Sequence, residues 1–223
     1  MLRCSHHLER ITLHFWYEDI LTELLSGPTS PNTPFNWPNL RHLELRSPEI
    51  KLWDVAEISD VFARFLVAHP LLETVILYSS RNFSDNELPR SFSLAPYPHA
   101  LPNLKILRAP LCIIAGIVES KGAARSLVEI NNWTMRHRRF SNLEELLERT
   151  ISSFEDISNS PLRRLTIQVP GLEYDLLVRL SKCMPNLVLL ELDQASTNKE
   201  DQSDEDYEVD QDAVAAMVSN TFA

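Results

Sequence analysis

Few residues in this chain combine the types and spacing that chemistry requires. His6, His7 and Glu9 form a small cluster near the amino terminus that could offer nitrogen and oxygen to a metal. Its position near the chain end reads instead as a polar terminus. Cys4, Cys112 and Cys183 are an odd number, and no two stand in C-x-x-C spacing, so neither a disulfide framework nor a zinc site is expected. Cys112 lies between Leu111 and Ile113–Ile114, an apolar setting that predicts a buried, inert thiol. The glycines are Gly27, Gly116, Gly122 and Gly171, and none belongs to a dinucleotide or phosphate-binding loop. G-x-S-x-G and H-E-x-x-H are both absent. The chain therefore reads as non-enzymatic, with no metal and no cofactor.

Other short signals concern partners and modification. The run Arg136-His137-Arg138-Arg139 could meet phosphate or serve as a nuclear address, but it also suits a solvated loop ahead of a helix cap at Ser141. Asn82 and Asn132 sit in glycosylation sequons, which matter only on a secretory route. Apolar residues near the amino terminus are interrupted by His, Glu and Arg, so no secretion signal is read. No segment approaches the length of a membrane span. An intracellular protein, in cytoplasm or nucleus, is the expectation.

Net charge is −10, and it is concentrated. Residues 200–212, EDQSDEDYEVDQD, hold eight acidic residues and no basic one; elsewhere 23 acidic residues face 21 basic. A nearly neutral body disfavours direct nucleic-acid binding, which needs a basic face. The acidic stretch predicts a disordered loop over 197–212, with Ser203 placed for an acid-directed kinase. The apolar AVAAMVSN after it predicts a final short helix over 213–221.

The elements that must position any functional surface come from a repeat. An apolar-x-x-apolar-x-apolar pattern occurs at Leu8/Ile11/Leu13, Leu40/Leu43/Leu45, Leu72/Val75/Leu77 and Leu104/Leu107/Ala109. It continues at Leu127/Ile130, Leu162/Leu165/Ile167 and Leu187/Leu190/Leu192. Three successive intervals of 32 residues open the series, followed by 23, 35 and 25. The end of each pattern has period two, which predicts a short strand. Between patterns the period moves toward 3.6. Helices are expected over WYEDILTELL (16–25), WDVAEISDVFARFL (53–66), SNLEELLERTISSF (141–154) and EYDLLVRLSKCM (173–184). Pro-Asn-Leu recurs at 38–40, 102–104 and 185–187. The proline ends the preceding segment, the asparagine tolerates the turn, and the leucine enters the core. Strands joined through helices must run parallel.

These units resemble leucine-rich repeats. Their unequal lengths, and the segment LPNLKILRAPLCIIAGIV (101–118), look most like the repeat regions of fungal F-box-like proteins. The resemblance covers roughly residues 5–195. The consensus asparagine or cysteine after each strand is met only by Cys112, so a regular asparagine ladder is not expected. No F-box precedes the repeats in this chain, which begins almost at once with Leu8/Ile11/Leu13. The resemblance implies an α/β leucine-rich-repeat solenoid of about seven strands, one domain over residues 1–223. It implies a protein-binding scaffold, the substrate-recognition part of an F-box-type ubiquitin ligase subunit. The alternative is a repeat fragment without an independent partner, self-associating through exposed ends.

On such a scaffold, strand residues pointing away from the helices form the binding face. Arg46, Tyr78, Arg108 and Trp133 are the residues of that row with interface-anchor chemistry. The competing expectation is that the loop over 79–100 covers the neighbouring Ile76 and Ile106.

Overall fold

A computed structural model describes residues 7–14, 26–27, 30–34, 37–47, 56–79, 92–132, 143–155, 157, 159–169 and 174–194. The architecture is α/β. In chain order the elements are β1 (Arg10–His14), β2 (Ser26–Gly27), β3 (Ser30–Pro34), β4 (His42–Ser47), α1 (Ala56–Ala68), β5 (Thr74–Ser79) and β6 (Ile106–Ala109). Then follow α2 (Leu111–Val118), α3 (Lys121–Ser126), β7 (Glu129–Asn132), α4 (Leu143–Glu155), β8 (Arg164–Val169), α5 (Tyr174–Cys183) and β9 (Leu189–Gln194). Seven strands form one sheet in the order β1-β4-β5-β6-β7-β8-β9, every neighbouring pair parallel. The order in space is the order in the chain. β2 and β3 pair apart from it as a small antiparallel ribbon.

The sequence repeat is also a register. Ile11, Leu43, Val75, Leu107, Ile130, Leu165 and Leu190 pair across the sheet as one row. These are the second apolar residues of the seven patterns. A one-residue slip would turn the whole set to the other face, so this row fixes the alignment. From Leu43 to Leu165 its members are fully or almost fully buried. Each such side chain contributes about 1.5–3 kcal/mol of burial.

The approach to each strand repeats as well. The Glu9 carbonyl accepts N–H bonds from Arg41 and His42, the Arg41 carbonyl from Glu73 and Thr74, and the Glu73 carbonyl from Lys105 and Ile106. Lys105, Val128 and Arg163 carbonyls do the same for the three units that follow. Every unit thus begins by satisfying a backbone carbonyl of the one before. Asparagine does more than turn the chain: Asn103 Nδ2 donates to the Pro70 carbonyl at 3.0 Å and Asn186 Nδ2 to the Ser160 carbonyl at 2.9 Å.

One face of the sheet carries the helices and the core. In α1, Phe62, Phe65 and Leu66 are buried, while Asp60 and Arg64 pair at 2.9 Å on the wetter side. In α4, Leu143, Leu147, Ile151 and Phe154 point inward as the sequence predicts, and Glu144 and Glu145 in the first turn suit the positive end of the helix dipole. In α5, Leu177, Leu180 and Cys183 are buried and Leu176 only partly. Helix α2 was not legible as a helix. Almost all its residues are apolar and buried, so no amphipathic period exists to read.

The unit between β6 and β7 returns through two short helices, α2 and α3. Between β5 and β6 the described return, 92–105, consists of turns and extended chain, anchored by buried Phe92, Leu94 and Leu101. The described residues of this return pack on the helix side: Leu94 N–H bonds the Gly116 carbonyl, Gly122 N–H the Pro98 carbonyl, and Ser120 Oγ the Tyr97 carbonyl. Residues 80–91, the greater part of the loop expected over Ile76 and Ile106, lie outside the described residues. Cys112 is half-buried rather than buried, though it packs against the core. The helix expected over 16–25, the Ser141 cap, the acidic segment 197–212 and the final helix 213–221 lie outside the described residues.

Candidate functional site

Alternation along a strand sends successive side chains to opposite faces. The core takes Leu43, Leu45, Val75, Leu77, Leu107 and Ala109. The opposite, open face therefore takes His42, Glu44, Arg46, Thr74, Ile76, Tyr78, Ile106, Arg108, Glu129, Asn131, Arg164 and Thr166. Ile76 is buried yet stands outside the core cluster, in register with Glu44 on one side and Arg108 on the other.

Three of the four residues singled out from sequence meet here. Arg46 and Tyr78 are register partners on β4 and β5, and the Arg46 guanidinium lies 5.0 Å from the Tyr78 ring centroid, a cation–π distance. Arg108, one strand further, sits diagonal to Tyr78, close enough for the phenol to favour its charged form. Trp133 lies outside the described residues.

Each guanidinium is held from behind by a carboxylate. Arg46 Nε donates to Glu44 Oε1 at 2.5 Å, and Nη2 pairs with the same oxygen. Arg108 donates to Glu129 Oε1 through Nε at 3.1 Å and Nη2 at 2.7 Å. Glu44 is also reached by Thr12 Oγ1, and Arg164 approaches Glu129 at 3.9 Å. Burial pushes the Glu44 carboxyl up, but the Arg46 hydrogen bond and charge outweigh it and hold the group below its ordinary value. The hydrogen bond to Glu129 does most to raise Arg108, with the Tyr78 phenol adding a smaller push in the same direction. His42 goes the other way: burial and the nearby Arg10 charge lower it. Its Nε2 lies 3.5 Å from Glu44 Oε2 and makes no hydrogen bond.

This constellation is a chain of charge-assisted hydrogen bonds around one phenol ring. It positions donors and an aromatic surface, and it offers no nucleophile beside a base. Sequence reasoning named the arginines and tyrosine but missed Glu44 and Glu129, which fix them. Their positions, two residues before Arg46 and on the strand after Arg108, carried a signal only once the register was known.

The other sequence candidates do not assemble. His7 and Glu9 are exposed, and no group of metal-ligating side chains occurs among the described residues. Burial raises the Cys183 thiol, the opposite of a reactive cysteine. Asn132, within a glycosylation sequon, is 7% exposed on the core face, where no glycan could be attached in the folded chain. His6, Asn82, the basic run 136–139 and Ser203 lie outside the described residues. No helix among the described residues is long and apolar enough to cross a membrane. No family model, curated protein or solved structure matches this chain.

Proposed function

We propose that the chain is a non-enzymatic protein-binding scaffold of the leucine-rich-repeat type, and that its open sheet face takes the partner. The repeat register and the identical unit junctions support the solenoid reading. The observation that carries binding is the contiguous Arg46–Tyr78–Arg108 cluster, anchored from behind and partly open to solvent. Arginine and tyrosine side chains held in place lose little freedom on binding and dominate interface energetics. The sequence resemblance extends the proposal to the substrate-recognition region of an F-box-type ubiquitin ligase subunit in the cell interior.

The test is affinity capture from cell extract with the full chain, compared with a variant bearing alanine at Arg46, Tyr78, Arg108 and Trp133. The expected result is loss of one or more specific partners while the variant keeps its thermal unfolding cooperative. Retention of every captured protein by the variant sinks the reading. Enrichment of ubiquitin-conjugated proteins in the captured set supports the ligase kinship, and a set without them removes it.

A second reading has its own support. The exposed large hydrophobic residues among those described, Tyr174, Val188 and Leu189, all belong to the last helix and the last strand or its entry. A chain that associates through that end would behave as a repeat fragment. Light scattering across a concentration series separates the two: a constant monomer mass favours the independent scaffold, and rising mass favours the fragment.

A further inference from the structure

We infer that the open face selects an acidic, carboxylate-rich extended segment of its partner protein. This rests on the protein-binding reading above and adds the chemistry of what binds. Net charge alone points the other way, since the whole chain is acidic. The layering of charges on this face decides the matter locally.

Side-chain exposure separates the two signs by depth. Glu44 is 12% exposed, while the Arg46 it holds is 46% exposed. Glu129 is 16% exposed, while Arg108 and Arg164 around it are 38% and 65% exposed. The carboxylates lie beneath and the guanidiniums lie on top. A partner approaching from solvent meets the cationic layer first. The count agrees: among the described residues, strands β1 to β8 present Arg10, Arg46, Arg108 and Arg164 on the open face against Glu44 and Glu129.

A guanidinium has five N–H donors, and among the described residues the bonds of Arg46 and Arg108 to glutamate employ only part of each set. The bonds to glutamate also fix the planes in advance, so a carboxylate that docks finds forks already aimed. Polarity runs across the sheet too. Glu191 and Asp193 on β9 are exposed and repel an acidic segment, so the segment would lie over β4 to β8. An interface of this kind gains specificity and association rate from charge complementarity and weakens as salt rises.

The test uses fluorescence anisotropy with a labelled peptide, EDQSDEDYEVDQD, supplied separately to the full-length protein. The same peptide with lysine at each acidic position and a single-stranded oligonucleotide of equal negative charge are the comparison probes. The variants are Arg46→Gln with Arg108→Gln; Arg164→Gln, a largely exposed side chain 3.9 Å from Glu129, whose loss should leave the fold intact; and Arg179→Gln, on a helix away from this face. Binding of the acidic peptide, about tenfold weaker for the double variant, measurably weaker for Arg164→Gln and unchanged for Arg179→Gln, is the expected result. No binding to the wild type or to a variant with residues 200–212 converted to amides overturns the inference. Equal binding by the double variant and by Arg164→Gln also overturns it, as does preference for the lysine peptide or the oligonucleotide. Binding seen only after the amide conversion assigns the surface to the chain's own acidic run and overturns a separate partner. A partner lost from the four-alanine variant in extract, with no acidic-peptide binding here, would leave the scaffold reading standing and remove this one.

Discussion

At the residue scale, the most demanding position is a glycine that no motif search would have chosen. A Cβ built on Gly116 would lie 2.2 Å from the Phe92 carbonyl oxygen and 2.5 Å from its ring. The returning chain over 92–105 can approach α2 only because that side chain is missing, and the Leu94 N–H bond to the Gly116 carbonyl forms at this contact. Gly116→Ala should therefore cost on the order of 2–4 kcal/mol, despite alanine's better helix propensity, because backbone must move. Urea denaturation checks this, and a stabilised Gly116→Ala would contradict the contact. Leu43 and Leu165 were legible as core from their pattern alone, and both are buried. Aspartate at either should cost several kcal/mol, roughly 3–5, since the new charge would have no partner; a shift in the urea midpoint with unchanged slope would show it. Gly116 was illegible because its role depends on a segment more than twenty residues away, and sequence spacing carries no distance between the two.

Among the elements, the residue before each proline that opens a unit, at 38, 70, 102, 161 and 185, forms a column that the sequence did not advertise. Trp37, His69, Leu101, Ser160 and Met184 are all buried, and their types share no single property. Four of them share backbone geometry: Leu40, Leu72, Leu104 and Leu187 N–H groups each bond the carbonyl of the residue before the proline, while at Ser160 the hydroxyl takes that place, accepting from the Leu162 N–H. Within the column, His69 links two units. Its Nδ1 donates to the Phe65 carbonyl at 2.6 Å, its Nε2 accepts from the Trp37 backbone N–H at 3.0 Å, and its ring packs on both aromatic rings. This arrangement requires the neutral ring, and burial holds the folded pKa below the ordinary value. Above about pH 6.5 the ring is neutral in both folded and unfolded chains and adds no pH dependence. Below that, the unfolded chain binds a proton that the folded chain refuses, so stability falls as pH drops toward the lower folded value. His42 is shifted in the same direction and adds to the loss. The urea midpoint should decline from about pH 7.5 to about pH 5.5, and His69→Gln should flatten that decline while lowering stability at the higher pH. An unchanged slope in His69→Gln would show that the Trp37 contact does not depend on the neutral ring.

For the whole molecule, the arrangement of strands in chain order means that each unit leans on its neighbours, and among the described strands the two outer ones, β1 and β9, lean on one neighbour each. The apolar triplets made this order legible, because each adds one strand whose inner residues need a cover. They could not reveal how complete that cover is at the far end. The inner residues of β5 and β6, such as Val75 and Leu107, are fully buried, whereas Leu190 and Leu192 of β9 are only partly buried. Strand β9 pairs only with β8 among the described strands, leaving an edge, and Val188 beside it is largely exposed. Ion pairs do not compensate for this. Arg179 joins α5 to Glu148 and Glu155 of α4, but those groups are partly exposed and such pairs contribute about 0–1 kcal/mol. Local opening should then be cheapest at β9 and most costly in the middle of the sheet. Amide hydrogen exchange read by mass spectrometry is expected to show peptides covering 187–194 exchanging well before those covering 104–109. Leu190→Ala should cost less than Leu107→Ala, because its side chain has less contact to lose. If the two segments exchanged together at the global unfolding rate, the sheet would be one cooperative body, and the β9 end would be held by contacts as complete as those at its centre.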